Sequence, residues 1–458
     1  MQDCSTGRIL FYSANAAAVI NDAIGNLTSG GKIFIKAGTY TFTTLPIYFS
    51  DGDLGAIGST SVNNMEIYGE GNATILKAGT NMNGDVFCIA DVKGWYIHDL
   101  QIDGNAAHQS ASGNEGLGSN LMSGIQFYYA TNSTVERVYS HDNKNFGVSA
   151  YGGSNMAILN SVLVRNWANG IIVSSSNSIV ENDIVNGASD IGISLAGYNG
   201  GISNELVEGN SITDINMGVS PTNTNCGYGI SVGDGGLVTG ATVSENTIIA
   251  TPAEAIVVGG TGGQDFDITV TGNYIYDSWE AFRAGTVTNL IFSENIINST
   301  TNTGGGAAGA INILGSTVNA LVENNQVYDS SSAAPRQGIW WTSTSPGQII
   351  GNTIVVGKGA AIVTDASVSG MQILNNTLNC VTGATAGFFD DGAMSDSLFS
   401  GNILLGGATS TYPSSIYIGG SGNTFSNNYI LNWWGGLGNG VTDVGTGNSF
   451  INNQVKIP

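Results

Sequence analysis

The stretch "VENDIVNGASDIGISL", residues 180–195, contains an apolar strand end, an asparagine corner, a second apolar triplet, a small polar loop and an alternating apolar run. Nearly the same order returns at "GNYIYDSWEAFRAG" (272–285), "GNTIVVGKGAAIVT" (351–364) and "NNTLNCVTGATAGFF" (375–389). Aligning the asparagine before the short apolar triplet gives Asn160, Asn182, Asn210, Asn246, Asn273, Asn295, Asn325, Asn352, Asn376, Asn402, Asn428 and Asn453. A base period in the low twenties with variable insertions fits stacked coils, whereas a propeller blade needs about 40 residues and a leucine-rich repeat needs leucine columns. Each coil reads as three short strands stacked in parallel on the next, with apolar residues turned into one core. A side-chain amide both donates and accepts, so a column of stacked Asn can bond from coil to coil at the corner.

Composition narrows the partners. The chain has 458 residues, 41% of them hydrophobic, only 10% charged, and 67 glycines. Twelve basic against 34 acidic residues leave a net charge of −22. Such a surface repels phosphate backbones, which excludes nucleic acid as a partner. It disfavours polyanionic glycans unless Ca²⁺ bridges them to carboxylates, and leaves neutral polysaccharides unpenalised. The sequence requires no cofactor, and Ca²⁺ is the cation that its carboxylates would accept. No apolar run reaches about 18 residues, so no membrane insertion is expected. Cys4, Cys88, Cys226 and Cys380 form no C-x-x-C pattern, and their spacing is compatible with one or two disulfides or with buried free thiols. The opening "MQDCSTGRIL" lacks the basic segment and apolar core of a leader. Composition favours an extracellular or cell-surface protein whose leader is absent from this chain.

Residues 15–27 put Val19, Ile20, Ala23, Ile24 and Leu27 on one helical face. "GGKIFIKAGTYTF" (30–42) then reads as a glycine turn and an alternating strand. The expected division is an N-terminal cap over 1–66, helix plus strands, joined to a solenoid over 67–458. A cap of this kind covers the open core and strand edges at a solenoid end. Together with "IYGEGNATILKA" (67–78), "LQIDGN" (100–105) and the Asn-marked coils, these segments resemble the right-handed parallel β-helix, pectate-lyase-like superfamily of carbohydrate-active and surface proteins. The resemblance covers essentially the whole chain. It implies an all-β fold: a single-stranded right-handed parallel β-helix solenoid of about 12–14 coils with an N-terminal capping helix. Lyases, glycoside hydrolases, epimerases and viral tailspikes share that architecture, so fold alone does not choose among them.

In that superfamily the glycan groove runs along the sheet whose strands follow the loop after the corner. If the second residue of each such strand points inward, the outward set holds Tyr128, Tyr151, Arg283, Asn312, Trp340, Asp365, Phe389, Asp391 and Tyr417. Tyr128, Tyr151, Trp340, Phe389 and Tyr417 are the candidate substrate-binding stripe, since aromatic faces pack against sugar rings. Asp365 and Asp391 lie at the same strand position 26 residues apart, hence on adjacent coils, and paired carboxylates are what glycoside hydrolysis uses. Asp390 adjoins them. "VTD" and then "FDDG" resemble motifs of polygalacturonase-type hydrolases, although no Gly-His-Gly or Arg-Ile-Lys follows. A second candidate pair is Glu254 and Glu280, with Arg283 beside it to stabilise developing negative charge. A third cluster, His108, His141, Asp142, Lys144 and Arg165, offers bases and cations for a polysaccharide lyase or uronate epimerase. A non-catalytic fibre, adhesin or tailspike-like surface protein is the remaining alternative, and monomer and trimer are both compatible with the sequence.

Overall fold

The structure, a computed structural model, describes residues 2, 5–8, 10–45, 47–48, 54–110, 122–198, 200–216, 227–260, 264–300, 309–329, 337–381, 384–391, 394–406, 415–431 and 440–456, without the side chains of 48, 299, 300 and 385. The chain is an all-β parallel solenoid, and its coils fall into two compact units, Met1–Ser231 and Val232–Pro458. Among the described residues the only α-helix is Ala16–Asn26.

In the first unit, the Asn15 side chain caps that helix by accepting from the Ala18 N–H, and Ala17, Ile20, Ala23 and Ile24 are its buried face. Asn21 fastens it to the strand Leu54–Ser59, donating to the Ala56 carbonyl at 2.8 Å and accepting from the Gly58 N–H at 3.2 Å. The coils that follow repeat one register. Ile125 pairs with Val148, Val148 with Ile171 and Ile171 with Ile193, all of them buried. In the second unit the same inner column runs Ile256, Phe282, Ile311, Ile339, Ile362, Phe388, Ile416 and Val441. A parallel sheet buried on its inner side favours such β-branched and aromatic residues.

The corners explain the asparagines. In the second unit Asn246, Asn273, Asn295, Asn325, Asn352, Asn376, Asn402 and Asn428 each donate a backbone N–H to the Oδ1 of the next asparagine in the column, ending on Asn453. From Asn273 on, each Nδ2 also reaches a backbone carbonyl of an earlier coil, as Asn352 does to Val322 at 2.9 Å. The first unit corrects the alignment by one residue. Asn160 and Asn182 sit in the left-handed region with φ of 51° and 58°, and Ser161 and Asp183 take the ladder position after them. Both positions favour Asn, one because its short polar side chain tolerates positive φ and the other because it donates and accepts. Sequence alone does not separate neighbours that share a preference.

Asp183 is buried in that ladder. It accepts from the Ser161 N–H at 2.6 Å, while its own N–H donates to Asn210 Oδ1 at 2.9 Å. Burial pushes its carboxyl up to about 8, so near neutrality it is largely protonated and regains the donor an asparagine would have. Glu205, also buried, is likewise raised to about 8 by burial.

Two outcomes follow. Asn352→Ala leaves the Asn325 N–H, Asn325 Nδ2 and the Val322 carbonyl without their buried partner. It should cost about 3 kcal/mol in denaturant unfolding, against no more than about 0.5 kcal/mol for an exposed control. The pH dependence has a definite sign. Between roughly pH 4 and 8 the folded chain keeps protons on Asp183 and Glu205 that the unfolded chain has lost, so stability falls as pH rises through that window. Asp183→Asn should raise the melting temperature at pH 8 and leave it nearly unchanged at pH 4; a fall at pH 8 would contradict the assignment.

Candidate functional site

The outer face of one sheet in the second unit collects most of the predicted residues. Beside the buried inner column runs its outward neighbour: Val257, Arg283, Asn312, Trp340, Val363, Phe389, Tyr417 and Thr442, each the register partner of the next. Trp340 and Phe389 are half-buried and pack on Ala360, Val363 and Ala386. Phe389 and Tyr417 stack with centroids 4.8 Å apart and an interplanar angle of 14°. Three of the five predicted aromatics thus form one stripe, broken only by Val363.

Asp365 and Asp391 stand two residues beyond this column, each just past the end of its strand, Gly359–Thr364 and Ala384–Asp390. Thr364 pairs with Asp390, and the Asp391 N–H donates to the Thr364 carbonyl at 3.2 Å, so the two acids stand one rung apart. Both are exposed. Trp340 Nε1 donates to Asp365 Oδ2 at 2.7 Å. Asp390 departs from the expectation that it joins them. It is fully buried on the other side of the strand, and its carboxylate accepts from the N–H groups of Met394 (3.0 Å) and Gly420 (2.8 Å) and from the Thr364 hydroxyl. Its role is to tie the start of the strand Met394–Ser395 to Gly420 of the next coil.

Glu254 and Glu280 are register partners at the start of their strands, buried beneath the same face. Glu254 is paired with Arg283 Nη1 at 2.8 Å, and Glu280 accepts from Asn312 Nδ2 at 2.7 Å. Asn312 is itself buried and tied to Gly309 through both side-chain atoms. Three rungs separate Glu280 from Asp365, roughly 14 Å at the spacing of parallel strands. The glutamates and the aspartates therefore cannot work on one bond together. Two acid centres exist, one buried and paired, the other open.

The first unit divides what the sequence grouped. Tyr128 and Tyr151 lie on the corresponding outer face, edge to face at 5.5 Å, but Tyr128 is only 4% exposed, packed among Cys88, Ala90, Phe146 and Ile172. Of the basic cluster, His141, Asp142 and Arg165 come together on a different sheet. Arg165 grips Asp142 at 2.8 and 2.6 Å, His141 Nδ1 lies 2.6 Å from Asp142 Oδ2, and Gln101 holds the other ring nitrogen. Burial opposes the charge on Asp142, yet the bonds from His141 and Arg165 prevail and hold its carboxyl at about 2. Lys144 donates to the Gln109 carbonyl and lies over the Trp167 ring, its pKa lowered by burial, and His108 is bonded to Asn105. A parallel network one coil earlier has Arg137 clamping Asp99; Arg137 and Arg165 both sit in the left-handed region, at different corners of their coils.

Asp103, His141 and Asp142 bring ligand atoms within 4.8 Å of one another, close enough for a cation. Lys77 already sits 2.5 Å from Asp103, and Arg165 holds Asp142, so an ion would have to displace two fixed cations. The donor set fits an ion-pair network better than a metal centre. Cys88 and Cys380 are buried, and burial pushes the Cys380 thiol up to about 12; Cys4 and Cys226 lie outside the described residues.

A family model described as the right handed beta helix region matches residues 47–273. No curated protein matches the sequence. Among solved structures, a double mutant of the tailspike protein of E. coli bacteriophage HK620 is 15% identical, covers 98% of this chain and 77% of that chain, and has a TM-score of 0.56. The same tailspike in complex with pentasaccharide has the same identity and coverage and a TM-score of 0.50. The A-module of the Azotobacter vinelandii mannuronan C-5 epimerase AlgE6 is 14% identical over 96% of this chain and 95% of that chain, with a TM-score of 0.41. With the stacked coils described above, the chain has the parallel β-helix fold.

Proposed function

We propose that this chain is an extracellular or cell-surface polysaccharide-active protein, a glycoside hydrolase whose groove lies on the outer face of the second unit. The observation that carries the reading is an exposed carboxylate pair one rung apart, Asp365 and Asp391, beside the stripe of Trp340, Phe389 and Tyr417. One carboxyl protonates the glycosidic oxygen while the other attacks the anomeric carbon or activates water. The aromatic faces hold the sugar rings through their C–H surfaces. Glu254 and Glu280 are engaged by Arg283 and Asn312, which supports a structural role for them. A net charge of −22 favours a neutral polymer. The tailspike that shares this fold was solved with a pentasaccharide, which is consistent with a saccharide on such a scaffold. The lyase or epimerase alternative is less well supported, because Arg137, Arg165, Lys77 and Lys144 each already face a carboxylate or carbonyl.

The test is a panel of neutral and acidic polysaccharides, with and without chelator, read both by new reducing ends and by the ultraviolet absorbance of a new double bond. Cleavage of a neutral polymer with new reducing ends alone is expected, with KM changing less than about twofold between low and high salt, since no phosphate- or uronate-type charge is being bound. Asp365→Asn and Asp391→Asn should each lower kcat by about 100-fold or more, whereas Glu254→Gln and Glu280→Gln should retain turnover. Unsaturated products would instead select the lyase, and binding without turnover anywhere on the panel would select a non-catalytic adhesin or fibre.

A further inference from the structure

We infer that Trp340 is a positioning residue for Asp365 as well as a ring for the substrate to lie on, an inference that rests on the hydrolase reading above. Trp340 is the register partner of Val363, and Asp365 lies two residues beyond Val363, just past the end of that strand and exposed. The indole is seated on Ala360, Val363 and Ala386, so its plane is fixed by packing. Its Nε1 has a single proton to give and no acceptor capacity, and that proton goes to Asp365 Oδ2 at 2.7 Å. Asp365 is exposed, and an exposed carboxylate on two rotatable bonds samples several orientations unless something holds it. The charge-assisted bond selects one of them and leaves Oδ1 to meet the substrate. Among the described residues, no hydrogen bond or ion pair reaches the Asp391 carboxylate. The asymmetry divides the labour: the fixed acid, Asp365, is the nucleophile or the base that aligns water, where angle governs the rate, and the freer Asp391 delivers the proton.

The experiment compares Trp340→Phe with Trp340→Ala on a polysaccharide that the wild type cleaves, after thermal melts establish that both fold. Phenylalanine keeps an aromatic ring in the seat and removes the N–H, with a smaller loss of ring area than alanine. Trp340→Phe should keep KM within about twofold and lower kcat by about 10-fold or more, while Trp340→Ala should also raise KM. A raised KM with kcat untouched in Trp340→Phe would overturn the inference and leave a platform only. A second readout needs no turnover. Asp365→Asn should shift the tryptophan emission of the wild-type protein but not that of Trp340→Phe, and a wild-type background with no shift counts against the contact. The two levels separate cleanly: turnover retained in Asp365→Asn sinks the hydrolase reading at this pair, whereas turnover lost there but unaffected in Trp340→Phe sinks the positioning role alone.

Discussion

Stacking at the parallel-strand spacing is the constraint on which the rest of the molecule depends. Because each coil lies directly over the last, any residue is repeated by the residue above it, a few ångströms away. An apolar side chain then meets an apolar one and the core continues. A polar side chain at an inward corner meets only its own counterpart, and must find both donor and acceptor there. Asparagine meets that demand indefinitely. The second unit runs its ladder from Asn246 to Asn453 on this principle, each amide satisfied by the next and by a backbone carbonyl. A carboxylate in the same column can only accept, and burial there pushes Asp183 up to about 8.

The outer face inherits the same repetition without its penalty, because water satisfies whatever the neighbour does not. There the column can change character from rung to rung. It passes from Arg283 through Asn312 to Trp340, Val363, Phe389 and Tyr417 without a break in the sheet beneath. A rigid strand ladder of this kind sets neighbouring side chains at fixed separations, a useful property for a surface that meets a polymer of repeating rings. It also keeps acids on adjacent rungs close, as at Glu254 with Glu280 and at Asp365 with Asp391.

Charge is scarce here, and much of it is spent locally. The cations Lys77, Arg137, Arg165 and Arg283 each sit against a carboxylate. Where the carboxylate is held by an arginine fork, as at Asp99 and Asp142, it stays ionised down to about pH 2. The excess of acids leaves others facing solvent, and Asp365 and Asp391 are among them. The open pair thus differs from the buried Glu254 less in residue type than in whether a cation was supplied.

The repeat, the three strands per coil, the inward column and the adjacency of Asp365 and Asp391 were all legible in the sequence. Period and alternation encode them directly, since both are geometric consequences of one-dimensional spacing. Spacing could not say which of two adjacent corner residues enters the ladder, so Asn160 and Asn182 were placed one position too far in. It could not say that Asp390 is buried against Met394 and Gly420 while Asp391 faces water, because strands end where hydrogen bonds to later coils dictate. Nor could it show that Tyr128 is covered, that Glu254 meets Arg283, or that the indole of Trp340 reaches Asp365. These depend on side-chain directions and on which neighbour occupies the next rung, and only the folded stack of coils decides them.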